Sequence, residues 1–196
     1  MSLLDLMQGL AESGVRVVLV GGMAARVHGA QRVTDDVDVC YDPAAQNITK
    51  LVNLLRGWDA YPRDMAPGRP YTLSRAHLAE HDTIRLVTRH GPIDVMRVVP
   101  GLGGYRDVVA HCDTMQISNG LTMPVINLEK LIRAKETASR GKDIEALHEL
   151  RALRALTHAQ HLEDHTHGAE PAGPASPPPV SQRDAGFPNR NRPAGN

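Results

Sequence analysis

The chain has 196 residues with 22 basic and 22 acidic side chains, so a surface that is basic throughout is excluded, although a local basic groove is not. Its length suits one domain with a substantial core. Aromatic residues make up only 3%, which argues against the stacking platforms of single-stranded nucleic-acid binders. Cys40 and Cys112 lie far apart without zinc-ligand spacing. No apolar run reaches transmembrane length, so the expected setting is cytoplasmic and free of the membrane.

Taken in order, Leu3 to Glu12 has the apolar spacing of an amphipathic helix stopped by Gly14. Arg16–Val20 reads as a strand, Met23–Val27 as a helix, and Val37–Tyr41 as a strand closed by Asp42-Pro43. Asn47–Leu55 has helical periodicity, and the Pro-, Gly- and Arg-rich stretch 62–70 reads as a loop. Thr83–Thr88 and Pro92–Val99 form a hairpin about His90-Gly91. Gly101, Gly103 and Gly104 read as a flexible turn, and Tyr105–His111 as a short helix. Met115–Ser118 and Leu121–Val125 flank an Asn-Gly turn, and helices over 128–139 and 142–158 complete the domain. This gives a domain over 1–160, followed by a tail, 161–196, whose Pro/Gly-rich composition predicts disorder.

The chemistry concentrates near the N-terminus. A β-branched run, Val17-Val18-Leu19-Val20, meets Gly21-Gly22, and Asp36-Val37-Asp38-Val39 opens the next apolar strand. Alternation along a strand puts Asp36 and Asp38 on one face and Val37 and Val39 on the other. Two carboxylates held that close repel unless a cation lies between them, and such hard oxygen ligands suit Mg²⁺. The glycine turn at the opening of a helix leaves backbone N–H groups free to meet a phosphate. A third acid, Asp94, interrupts the apolar run Ile93-Asp94-Val95. Either it faces solvent on an antiparallel sheet, or it is paired or metal-linked, because an unpaired buried carboxylate is costly. No P-loop pattern occurs, and Gly21-Gly22-Met23 lacks the third glycine of a dinucleotide fingerprint.

The pattern Gly21-Gly22-x-Ala24-x-x-x-His28-Gly29-x-x-Arg32-x-Thr34-x-Asp36-x-Asp38 resembles the first motif of the polymerase-β-type nucleotidyltransferases, within them the AbiEii/MenT toxin-like branch. The resemblance runs from about Val15 to Leu150. It implies an α+β fold, a palm-like mixed sheet flanked by helices with further helices at the C-terminus. It also implies Mg²⁺ at Asp36, Asp38 and Asp94, with room for a second ion, and Asp94 as general base or ligand to that ion. Gly21, Gly22, Arg32 and Thr34 are then phosphate-side candidates, although Arg32 has Asp35 and Asp42 as alternative partners. Lys135, at the edge of the apolar face of its helix, and Asp143, in Lys142-Asp143, match further family positions. Ordinary surface pairing with Glu129 and Glu136 is the competing role for such helix charges. Met23 departs from the Ser, Thr or Ala usual in relatives.

The resemblance implies transfer of a nucleotide from an NTP such as ATP to RNA, notably tRNA, or to a protein. It also implies a place as the toxin of a toxin–antitoxin pair with a cognate antitoxin. Arg63, Arg69 and Arg75, with the cations at 130–142, incline the reading toward nucleic acid. The alternatives are an aminoglycoside or lincosamide nucleotidyltransferase and a nucleotide-binding relative without turnover.

Overall fold

A computed structural model describes residues 2–118, 120–138 and 143–167. The first helix, α1 (Leu3–Glu12), is capped by the Ser2 hydroxyl, which accepts the Leu4 N–H at 3.1 Å, and it buries Leu6, Met7 and Leu10. Then come β1 (Val17–Val20), α2 (Gly21–Val27), β2 (Val37–Tyr41), α3 (Ala45–Gly57) and β3 (Tyr61–Pro62). The middle of the chain adds α4 (Arg75–Glu80), β4 (Thr83–Thr88), β5 (Gly91–Met96), β6 (Val98–Val99) and β7 (Gly103–Gly104). It ends with α5 (Tyr105–Val109), β8 (Cys112–Ser118), β9 (Leu121–Ile126), α6 (Leu128–Ala138) and α7 (Asp143–His167).

Seven strands form one mixed sheet in the order β3-β4-β5-β2-β1-β9-β8, flanked by helices, in agreement with the α+β expectation. β1 pairs antiparallel with β2 and parallel with β9, while β2 runs parallel to β5. All four residues of β1 are buried, as both faces of a central strand require. Leu6, Leu10, Leu19, Leu51, Leu86 and Ile93 are likewise removed from water, each worth about 1.5–3 kcal/mol of transfer free energy. The buried Tyr41 hydroxyl donates to the Leu78 carbonyl at 2.6 Å and fastens α4 to the sheet.

Several segments differ from the sequence reading. The strand expected over 92–99 breaks after Met96, where the Arg97 and Val98 N–H groups turn to the Asp82 carbonyl at 2.8 and 3.4 Å. Val98–Val99 instead pairs with Gly103–Gly104, so two of the glycines read as loop form a short ladder. Helix α4 has six residues and buries one apolar side chain, Leu78, too short a stretch for periodicity to register. Its signal was local: Ser74 and His77 form a capping box. Helix α7 continues to His167, past the position where the apolar pattern fades. The remainder of the expected tail lies outside the described residues.

Candidate active site

The site is assembled where β1, β2 and β5 lie side by side. Register places Val20 opposite Asp38 and Asp38 beside Asp94. Val37, Val39, Ile93 and Val95 are buried on the far side, which turns the intervening acids to the other face. The chain leaves β1 through Gly21, whose φ of +64° favours glycine. A Cβ there would overlap the Asp38 carboxylate, and one on Gly22 would overlap the Thr34 side chain. The glycine pair therefore lets the backbone close onto both residues. The Gly22 N–H donates to Asp38 Oδ2 at 3.3 Å, and the Thr34 hydroxyl donates to Asp36 Oδ1 at 3.0 Å.

Asp36, Asp38 and Asp94 each present a carboxylate oxygen within 4.8 Å of the other two. At that separation two unit charges repel by roughly 3 kcal/mol at an effective dielectric of about 20. Asp38 carries the strain. Burial, then repulsion from Asp36 and Asp94, pushes its carboxyl up to about 7, against partial relief from the Gly22 N–H and the Lys135 charge. Hard carboxylate oxygens this close, one of them holding its proton up to neutral pH, fit a small divalent cation such as Mg²⁺.

Two arginines absent from the sequence-level site complete the geometry. Arg63 Nη2 lies 2.7 Å from Asp94 Oδ1 and Arg63 Nη1 lies 3.5 Å from Asp36 Oδ2. Arg85 Nε lies 3.5 Å from Asp94 Oδ2, as expected for the residue directly opposite Asp94 on β4. The Arg63 N–H donates to the Arg85 carbonyl at 3.0 Å, so the two guanidinium groups share a base on the β4 edge. No motif marks Arg63; it read as one cation among several in a loop. Asp94 is 7% exposed and enclosed by these partners, which removes the solvent-facing alternative.

The other candidates divide. Lys135 acts on Asp38 through its charge. Arg32 reaches Glu145 of α7 at 3.2 Å, a partner the sequence did not suggest. His28 Nε2 lies 2.7 Å from the Ile126 carbonyl, where it joins the end of α2 to β9. Lys142 and the Asp143 side chain lie outside the described residues.

Beside the acids opens a cleft of about 910 Å³, lined by Arg63, Arg69, Arg85, His77, His81 and Asp64 among others. Tyr71 and His77 stack at its wall with ring centroids 5.5 Å apart. The wall is cationic, in a chain whose formal net charge is zero.

The fold recurs among solved proteins. The lincomycin-bound lincosamide antibiotic adenylyltransferase LnuA superposes with a TM-score of 0.52 at 15% identity, over 77% of this chain and 95% of that one. The chain has the nucleotidyltransferase fold. The antibiotic-resistance factor ANT(2'')-Ia is also similar, with a TM-score of 0.47 at 13% identity over 85% of this chain and 96% of that one. No protein-family profile and no curated protein sequence matches the chain. Among the described residues no helix is long and apolar enough to cross a membrane.

Proposed function

We propose that the chain is a Mg²⁺-dependent nucleotidyltransferase, and the convergence of Asp36, Asp38 and Asp94 within 4.8 Å is the observation that carries this reading. Asp36 and Asp38 would hold the ion, with Thr34 fixing the Asp36 carboxylate. Bound there, it would supply neutralisation of charge on the attacking and leaving oxygens of an in-line displacement at phosphorus. Asp94 serves the acceptor side, either as the base that takes the hydroxyl proton or as a ligand to a second ion. The acceptor oxygen forms its bond to the α-phosphorus, the α–β bridging bond breaks, and pyrophosphate departs. Gly21 and Gly22 line the nucleotide side, Lys135 and Arg32 are the residues that would meet the phosphates, and Asp143 is a further catalytic candidate.

The acceptor we assign is RNA, with tRNA foremost and a protein as the other possibility. The cationic wall of the cleft supports a polyanion over a polycationic aminoglycoside. By its resemblance the chain is the toxin of a cytoplasmic toxin–antitoxin pair. Incubation with each α-labelled NTP, Mg²⁺ and, separately, tRNA, lysate protein, an aminoglycoside or a lincosamide tests the reading. Label on tRNA supports it. Label on a drug alone moves the chain to the resistance enzymes, and no label on any acceptor, with Mg²⁺ bound, makes it a binding protein.

A further inference from the structure

Arg63 is held by the same two carboxylates, Asp36 and Asp94, that the proposed metal requires, and it lines the cleft in which the acceptor is placed. A guanidinium and a divalent cation on the same pair of carboxylates repel one another, so each weakens the other's hold on these oxygens. Arg85 differs: among the described residues its guanidinium pairs with Asp94 and not Asp36, from the neighbouring strand and more loosely, at 3.5 Å. We propose that Arg63 is a displaceable internal counter-ion. It neutralises Asp36 and Asp94 in the metal-free chain, is evicted by the metal, and turns into the cleft to bind a phosphate of the acceptor. The side chain has the freedom this needs, because it is about a third exposed and its backbone alone is tied to β4, through the Arg85 carbonyl. A ligand bound on release of Arg63 then favours the metal-bound state, and by linkage metal and RNA strengthen one another by the same factor. Acceptor capture is thereby confined to molecules whose metal site is filled.

This inference rests on the nucleotidyltransferase reading, and the experiment separates the two. Mg²⁺ is titrated calorimetrically into the full chain at pH 8, as wild type, Arg63→Gln and Arg63→Lys, and binding of a labelled RNA oligonucleotide is followed with and without Mg²⁺. Loss of the competing cation makes Arg63→Gln bind Mg²⁺ roughly fivefold tighter than wild type, the size expected for a partly exposed charged pair. Arg63→Lys, which keeps the charge but not the fork, falls between them. Mg²⁺ strengthens RNA binding more in wild type than in Arg63→Gln. Equal or weaker Mg²⁺ binding by Arg63→Gln, in a variant whose circular dichroism matches wild type, overturns the proposal and makes Arg63 a fixed brace of the site. Equal Mg²⁺ dependence of RNA binding in the two proteins overturns the coupling. If neither wild type nor Arg63→Gln binds Mg²⁺, the nucleotidyltransferase reading itself fails.

Discussion

Asp38 on β2 and Asp94 on β5 are direct neighbours across a parallel strand pair, and the Gly21 bend closes onto the first of them. Parallel pairing in this register leaves the two carboxylates on one face. The repulsion it creates is part of the resting state of the protein, and it gives the site a measurable signature without any substrate.

The first consequence concerns pH. The Asp38 carboxyl titrates near 7 in the folded chain, against an ordinary value of 3.8. Between those values the folded state holds a proton that the unfolded state has lost, so metal-free stability falls as pH rises through this window and levels off above about 7. Asp38→Asn flattens that slope and, at pH 8 in EDTA, raises stability by about 1–2 kcal/mol, a figure discounted for the partial exposure of the site. Mg²⁺ raises the melting temperature of wild type at pH 8 and leaves that of Asp38→Asn unchanged. Thermal melts across pH 5 to 8, with EDTA or Mg²⁺, check all three statements.

Gly21→Ala places a methyl group into the Asp38 carboxylate at a backbone φ of +64°. The expected loss is about 2–3 kcal/mol in urea denaturation, together with loss of Mg²⁺ binding. Gly57→Ala is the comparison, since a Cβ there meets nothing within 4 Å and φ is ordinary. It leaves stability unchanged or raises it by up to about 1 kcal/mol.

Thr34→Val keeps the shape and removes the hydroxyl that donates to Asp36 Oδ1 at 3.0 Å. Stability changes by less than about 1 kcal/mol. Mg²⁺ affinity falls roughly tenfold, as is usual when a group that orients a metal ligand is lost, and isothermal titration reads both wild type and variant directly.

Tyr41→Phe separates fold from site. It leaves the buried Leu78 carbonyl without its partner, at a cost of about 1–2 kcal/mol by urea denaturation. Mg²⁺ affinity and nucleotide transfer are unchanged, because the hydroxyl points toward α4 and away from the acids.

How much of this was legible in advance depended on the range of each signal. The face taken by Asp38 follows from alternation along β2, and the closeness of the chain at Gly21-Gly22 from the absence of side chains, so both can be read from adjacent letters. Asp36 lies in the bend just before β2, and its approach to Asp38 belongs to the fold. Asp94 was visible as a lone acid in an apolar strand, but its strand alternation allowed solvent exposure as readily as enclosure. Its burial among arginines needed the pairing of β5 with both β2 and β4. Arg63 carries no local mark at all, since an arginine after Tyr61-Pro62 has the same pattern whether it faces water or two carboxylates. Arg32 shows the same limit, with a Glu145 partner more than a hundred positions away.

Strand alternation, glycine placement and helix periodicity are properties of neighbouring residues. They determined most of the strands and helices, the face of β2 that carries Asp38 and the glycine bend beside it, while the α+β fold was implied by the family resemblance. Which charges meet there was decided by the tertiary structure. Coulomb forces between side chains act through space over a few ångströms, and the chain order holds no record of those distances until the sheet brings β2, β4, β5 and the segment after β3 together.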